Sequence, residues 1–187
     1  MVVRRYGTLE RSRTDILRRS DMPESMWCRD RFWAPELFFF DGWFYLTFNC
    51  RNESEEYRHS HSVGLARSKN VTGPYEVLTK EHGLTEGVPG DNDASLYAEN
   101  GIFYLLCNEK HGIHMYKLDP ETVTLSAGRK LCGCGADGEW DSIGVEGPCL
   151  VKRCGKYFLF YSSWTNGYNA GYCIADSLEG GFKKISG

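Results

Sequence analysis

Short runs of apolar and aromatic residues, separated by polar turns that contain glycine, dominate the pattern of this chain. An acid, a short strand, a tight turn and an aromatic strand follow one another three times, and each set predicts a β-hairpin. The predicted hairpins cover residues 36–48, 93–106 and 146–161. Their leading acids are 57 and 53 residues apart, and their turn glycines are 59 and 54 residues apart. This spacing indicates an internal repeat.

A third strand and a short fourth strand follow each hairpin in the predicted pattern. The repeat is therefore a four-stranded antiparallel blade of about 50 residues, which lies within the range of β-propeller repeats. A β-sandwich whose strands resemble one another by coincidence is the alternative. We expect one all-β domain over residues 1–187, with an irregular lead-in at 1–30 and blades at 31–85, 86–140 and 141–187.

Composition and charge narrow the functional class. A hydrophobic content of 41%, with 14% aromatic residues and 21 glycines, suits a β fold with many tight turns. The formal charge of -3 argues against a nucleic-acid partner. No apolar run approaches the roughly 20 residues that cross a bilayer, so we expect no membrane partner. The first residues lack a secretory apolar region, which predicts a cytoplasmic location by default, while the oligomeric state is left open.

The cysteine and histidine positions leave two metal hypotheses open. The eight cysteines are predicted to be reduced, and those in strands to act as small apolar residues. A metal-dependent protein is nevertheless an alternative, built on Cys132, Cys134, His59 and His61. The segment Gly90–Asp93 fits an Asx-turn, a catalytic corner or a calcium loop, although it lacks the spaced acids of a dedicated calcium site. We expect no cofactor to be required, with structural calcium left open.

Glu146 is the first candidate for chemistry. It stands before Gly147 and Pro148, of which the proline restricts the backbone, and at the start of a strand that leads into an aromatic strand. A carboxyl group held in this way can be aimed into a pocket and shielded from water, as a general acid requires. The alternative is an ordinary surface turn.

Successive blades of a propeller place the starts of their first strands around one axis. The predicted register therefore directs Glu36, Asp93 and Glu146 towards a shared funnel. Sugars pack their C–H faces on aromatic rings, and three aromatic residues of the loops are candidates for such contacts, each with a structural role as its alternative: Trp33, Trp164 and Tyr168.

Four segments in this order resemble a known family. They are Trp33–Glu36, Asp93 with the strand that leads to Tyr104, Glu146–Pro148, and Ala175–Phe182. The set is similar to glycoside hydrolase family 43, whose members fold as five-bladed β-propellers, and it covers about four-fifths of the chain. The resemblance implies inverting hydrolysis of arabinose- or xylose-containing oligosaccharides and polysaccharides.

The resemblance also implies roles for individual acids. The family's general acid falls on Glu146, and the acid that orients it and tunes its pKa falls on Asp93. The general base belongs to a first blade with an Asp-Pro strand, which the sequence does not contain, so the chain resembles the middle three blades of five. We therefore expect a fragment-like glycosidase of doubtful activity, and the alternative is a propeller that binds carbohydrate without chemistry.

Overall fold

The computed structural model describes residues 15–53, 61–86, 88, 92–109 and 111–185. In this part of the chain, three antiparallel sheets account for the regular structure, with one 3₁₀ turn at Arg19–Asp21. Blade A contains β1 (Asp30–Phe40), β2 (Trp43–Arg51), β3 (Ser62–Ser68) and β4 (Glu76–Val77). Blade B contains β5 (Asn92–Glu99), β6 (Ile102–Glu109), β7 (Gly112–Asp119), β8 (Thr124–Leu125) and β9 (Arg129–Gly133). Blade C contains β10 (Glu146–Arg153), β11 (Lys156–Ser163), β12 (Asn169–Ala175) and β13 (Lys183–Ile185).

The first two strands of each blade are joined by a two-residue turn. Both turn residues have positive φ angles in all three blades, for example Asn100 at 53° and Gly101 at 75° in blade B. Such turns match the right-handed twist of the strands that they connect, and they require residues that tolerate this conformation. The flanking pairs Phe40 with Trp43, Glu99 with Ile102, and Arg153 with Lys156 close the three hairpins in the same way.

The blades pack through apolar faces, and each first strand lies beside the next. β5 contacts β1 on one side and β10 on the other. One buried cluster, which includes Tyr45, Leu65 and Leu105, joins blades A and B. Another, which includes Leu106 and Leu159, joins blades B and C. The stacking therefore brings the starts of the three first strands to one end of the molecule.

The described part of the lead-in, residues 15–29, is irregular and packs on the outer face of blade A. Met22, Trp27 and Cys28 are buried there together with Phe48 of β2. The indole N–H of Trp27 donates a hydrogen bond to the carbonyl oxygen of Thr79 at 2.7 Å. These residues thus cover a sheet face that would otherwise be exposed.

The predicted all-β class is confirmed, and one detail of the prediction is corrected. Blades A and C have the expected four strands, whereas blade B has five because β9 pairs with β7 in addition to β8. Among the described residues, no helix has the length and apolarity needed to cross a bilayer.

Candidate active site

An open cavity of about 420 Å³ lies at the end of the molecule where the first strands of the blades begin. It is lined by Trp33, Asn49, Arg51, His61, Asp93 and Glu146. Two of the predicted site residues, Asp93 and Glu146, therefore share one cavity although they belong to different blades. Trp33 lines the same space, as a sugar-stacking aromatic residue would need to.

A β-bulge at the same position of each first strand directs these side chains. The strand register shifts between Trp33 and Glu36, between Asn92 and Ser95, and between Glu146 and Cys149. A bulge inserts an extra residue and changes the direction in which the neighbouring side chains point.

The residue that follows the last regular pair in each bulge has a positive φ angle. These residues are Ala34 at 42°, Asp93 at 56° and Gly147 at 58°. By register, Glu146 is therefore equivalent to Trp33, and Asp93 is equivalent to Gly147. The two acids reach one cavity from adjacent, not identical, positions of the repeat.

Asp93 is held by both neighbouring blades. The side-chain amide of Asn49, on β2, lies 3.4 Å from Oδ1 of Asp93 and donates to it. The backbone N–H of Gly147, on β10, faces the Asp93 carboxylate. Burial raises the pKa of Asp93 above its ordinary value, and the nearby charge of Glu146 raises it further. The Gly147 N–H and His61 oppose that shift, since each favours the ionised form.

Glu146 has its own donor on the next hairpin. The phenol O–H of Tyr168, in the β11–β12 connection, donates to Oε1 of Glu146 over 2.7 Å. This bond raises the pKa of Tyr168, because loss of the phenol proton would place a second negative charge beside the carboxylate. Tyr168, predicted as a sugar contact, therefore lies against the general-acid candidate and not among the residues that line the cavity.

The wall of the cavity that blade A provides is aromatic and cationic. The rings of Trp33 and His61 meet edge to face with their centroids 5.3 Å apart. The guanidinium carbon of Arg51 lies 5.7 Å from the centre of the Trp33 ring, and Arg51 also donates to Glu53 at 3.0 Å. Trp33 is thus held from two directions, which fixes an aromatic surface beside the two acids.

Glu36 is not among the residues that line the cavity with Asp93 and Glu146. Its Oε1 accepts hydrogen bonds from the backbone N–H of Leu96 at 2.9 Å and from the hydroxyl of Ser95 at 3.1 Å. Burial raises the pKa of Glu36, and these two donors partly offset the rise. The register places Glu36 beyond the bulge and level with Ser95 of blade B, so its carboxylate fastens blade A to blade B.

Trp164 also lies outside the residues that line the cavity. Its ring fills the space beside Gly144, where an added Cβ atom would come within 2.4 Å of the indole. The neighbouring Thr165 hydroxyl accepts the backbone N–H of Ile143 at 3.2 Å. Trp164 therefore supports the segment that leads into Glu146.

The acids near the start of the chain form ion pairs and are not among the residues that line the cavity. Asp15 pairs with Arg18, Glu24 with Arg29, and Asp30 with Arg19. Among the residues with described positions, the acids that line the cavity are Asp93 and Glu146. The described part of the chain thus provides two of the three acids that the resemblance implies.

The cysteine and histidine residues of the metal hypothesis lie in different parts of the fold. Cys132 is buried between blades B and C, whereas His61 lies in the cavity, and His59 is outside the described residues. Within the described ranges, no group of three or more His, Cys, Asp or Glu side chains is arranged to hold a metal ion. Gly90 and Asp91 also fall outside those ranges.

The sequence pattern does not identify three residues that line the cavity, which are Asn49, Arg51 and His61. Of these, His61 is a candidate from the sequence only as a metal ligand. A signal for the first two is present in β2, whose aromatic first half gives way to alternating polar residues at Thr47, Asn49 and Arg51. Residues two apart on a strand face the same side. That change of polarity marks the part of β2 that approaches the cavity.

Comparison with known proteins agrees with this architecture. Residues 9–183 match Glycosyl hydrolases family 43. A thermostable family-43 glycoside hydrolase has 25% sequence identity and a TM-score of 0.71, over 86% of this chain and 56% of that one. An endo-arabinase from Bacteroides thetaiotaomicron has 21% identity and a TM-score of 0.70, over 86% of this chain and 62% of that one.

A xylan beta-1,4-xylosidase from Bacillus halodurans has 21% identity and a TM-score of 0.65, over 82% of this chain and 30% of that one. At 21% identity, the likeness to the endo-arabinase and to this xylosidase shows the fold alone. The chain spans 56% of the length of the thermostable hydrolase, so it corresponds to part of such a propeller. These likenesses confirm the predicted partial β-propeller, and since the family match extends over nearly the whole sequence, the chain belongs to glycosyl hydrolase family 43.

Proposed function

We propose that the cavity is a glycosidase site that cleaves arabinose- or xylose-containing glycans by inverting acid–base hydrolysis. The observation that supports this proposal is the shared cavity of Asp93 and Glu146, with Trp33 on its wall. The substrate class is suggested by the endo-arabinase and the xylosidase among the similar structures. Because this chain spans only part of those proteins, the activity of the 187-residue chain is itself part of the proposal.

In this proposal, Glu146 donates its proton to the glycosidic oxygen as the bond to the anomeric carbon breaks. A water molecule attacks the anomeric carbon from the opposite face of the sugar, and a base takes the proton of that water. Inverting enzymes place the acid and the base about 6.5–9.5 Å apart so that the water fits between them. Asp93 lies beside Glu146, and its role is to orient the acid.

The base is not among the described acids that line the cavity, so we expect slow turnover from this chain. Loss of a general acid or base typically lowers a rate by roughly 10²–10⁴-fold. Trp33 supplies the surface on which the sugar stacks. We propose that no cofactor takes part, since proton transfer and water attack need only the side chains named and a base, and EDTA should leave turnover unchanged.

Hydrolysis of xylobiose and 1,5-arabinobiose by the purified chain tests the proposal, because an unactivated sugar leaving group needs protonation. We expect weak release of monosaccharide that disappears in Glu146→Gln, while that variant keeps its affinity for xylose and arabinose. Release that persists in Glu146→Gln would contradict the assigned acid. No release from any variant, combined with sugar affinity that Glu146→Gln does not change and Trp33→Ala weakens, would favour the carbohydrate-binding alternative.

A further inference from the structure

Glu146 lines the cavity together with Trp33 and Asp93. It also accepts the hydrogen bond of Tyr168, which is absent from the cavity wall and has 72% of its surface exposed. A general acid lies against the leaving-group oxygen that it protonates. Tyr168 therefore contacts the acid from outside the cavity lining, in an exposed region where a leaving-group sugar would have room.

The position of the phenol oxygen matches that of a leaving-group oxygen. It lies 2.7 Å from Oε1 of Glu146, and an acid must come within about 2.6–3.2 Å of the oxygen to which it transfers a proton. A glycosidic oxygen that takes this place displaces the phenol oxygen. The ring of Tyr168 stays close by, with an exposed aromatic surface of the kind that packs against sugar C–H groups.

The hairpin that carries Tyr168 is attached to the strand that carries Glu146. Trp164 packs on Gly144, and Thr165 accepts the backbone N–H of Ile143. Asn169 then closes the loop by donating to the carbonyl oxygen of Gly167 at 3.0 Å. These contacts fix the base of the hairpin relative to Glu146, so Tyr168 stays within reach of the acid while its ring remains uncovered.

We propose that Tyr168 forms the subsite for the leaving group, and that its ligand is the sugar ring attached through the scissile bond. With the site empty, the phenol holds the Glu146 carboxylate in place of the glycosidic oxygen. With an oligosaccharide bound, the oxygen replaces the phenol and the leaving-group sugar stacks on the Tyr168 ring. This inference depends on the proposed function, because it assigns the second sugar of the same substrate.

The proposal is tested by comparing the affinity of the protein for a monosaccharide with its affinity for a disaccharide. Xylose, arabinose, xylobiose and 1,5-arabinobiose are titrated into the intact chain and followed by NMR, with products monitored in the same spectra. In Tyr168→Ala, we expect disaccharide affinity to fall roughly three- to tenfold, the usual contribution of an aromatic contact, with monosaccharide affinity unchanged. Tyr168→Phe keeps the ring and should retain most of the disaccharide affinity. Phe39→Ala removes another exposed ring, at the turn end of β1 and not among the residues that line the cavity, and is the control.

Three results would overturn the proposal in distinguishable ways. Equal disaccharide affinity in native protein and Tyr168→Ala would exclude a role for the ring while leaving the proposed function intact. Equal loss of monosaccharide and disaccharide affinity would place Tyr168 in the pocket instead. Absence of sugar binding by the native chain would contradict the proposed function, and the subsite with it.

The hydrogen bond itself is tested without any sugar. The pKa of Tyr168 is raised chiefly by its bond to Glu146, so Glu146→Gln should lower it, as measured by NMR titration of ¹³C-labelled tyrosine. Arg51, His61 and Asp93 are the other charged or titratable groups that line the cavity beside Glu146, and none of them is changed in this variant. A Tyr168 pKa that is the same in both proteins would show that the phenol does not occupy the position proposed.

Discussion

The backbone N–H of Gly147, the residue that follows Glu146, faces the Asp93 carboxylate and favours its ionised form. Gly147 has a φ angle of 58°, in the left-handed region, and this conformation belongs to the bulge that turns Glu146 into the cavity. A single local feature of β10 thus directs one acid and holds the other. The acids of blades B and C are coupled through the backbone as well as by charge.

Gly147→Ala should weaken both stability and sugar binding. An added Cβ atom would have no close neighbour, since Ser162 Oγ lies 3.9 Å away, so the effect comes from the backbone conformation. The left-handed region costs a residue with a Cβ atom about 1–2 kcal/mol, which denaturation in urea can measure. Gly155→Ala is the matched control, because Gly155 has a φ angle of 74° in the turn of the same blade, with no neighbouring atom within 4 Å. Equal sugar affinity in the two variants would refute the coupling through Gly147.

Asp93→Asn should stabilise the protein at neutral pH. The pKa of Asp93 is raised in the folded state, so the folded protein binds this proton more tightly than the unfolded chain does. The stabilisation that the native Asp93 contributes is complete below its ordinary pKa of 3.8. It is lost as the pH rises through the higher pKa of Asp93 in the folded state. The melting temperature of Asp93→Asn should therefore exceed that of the native protein at pH 7, and the two should converge at low pH.

Asp176→Asn is the control of opposite sign for that experiment. A hydrogen bond from Lys156 lowers the pKa of Asp176, so this carboxylate stabilises the folded state above its ordinary pKa and loses that effect as the pH falls. Its replacement should slightly lower the melting temperature at pH 7. A lower melting temperature for Asp93→Asn at pH 7 would contradict the effect of burial on Asp93.

The repeat could be read from the sequence, but the bulge could not. The turn glycines Gly42, Gly101 and Gly155 have the same spacings, 59 and 54 residues, as the bulge residues Ala34, Asp93 and Gly147. The acids are spaced differently, so their alignment placed Glu36 in the wrong register. Hydrophobic alternation reports which face a residue occupies in a regular strand, and it carries no signal for an inserted residue with a positive φ angle.

Trp33 and Trp164 show the same limit for aromatic residues. Their exposed fractions are 42% and 43%, and both belong to loop-proximal, aromatic-rich sequence. Their neighbours differ. Trp33 contacts His61, which immediately precedes β3, whereas Trp164 contacts Gly144, which lies in the segment before β10. This difference depends on contacts between residues that are far apart in the sequence. The local pattern around each tryptophan therefore predicts an aromatic residue near the site, but it does not predict the role of that residue.

Replacement of these two tryptophans by alanine should give opposite results. Trp33→Ala should lower affinity for xylose or arabinose roughly three- to tenfold, the usual contribution of an aromatic contact, with little change in stability. Trp164→Ala should lower the free energy of unfolding by about 2–3 kcal/mol, because it removes a large ring packed on Gly144. Calorimetric titration and urea denaturation of both variants measure the two effects. Sugar affinity lost in Trp164→Ala without loss of stability would restore Trp164 to the sugar site.

Glu36→Ala should destabilise the contact between blades A and B. The backbone N–H of Leu96 would lose its acceptor, and a buried donor without a partner costs about 1–3 kcal/mol. Glu36→Gln keeps an oxygen acceptor and should cost less, while Ser95→Ala removes only the weaker of the two donors. Urea denaturation ranks the three variants. A loss of sugar affinity in Glu36→Gln at unchanged stability would show that Glu36 contacts the sugar after all.

The outer face of blade C should cause this chain to self-associate. Val151, Phe160 and Ile185 are 41%, 45% and 42% exposed, and the ring of Phe160 lies 5.7 Å from that of Tyr172 on the same sheet. The alternate residues of β11, such as Leu159, are buried against blade B, so both faces of the strand are apolar. Exposed apolar patches of this kind favour association.

Phe160→Ser should weaken that association about tenfold, since burial of a phenylalanine side chain contributes about 1.5–3 kcal/mol. Sedimentation velocity over a range of protein concentrations measures the change. Val71→Ser is the control, because Val71 is 49% exposed in a turn of blade A and is not part of this face. If the native chain sediments as a monomer at every concentration, the exposed apolar face of blade C does not drive association. An equal effect of both substitutions would show that general surface polarity, and not this sheet face, governs association.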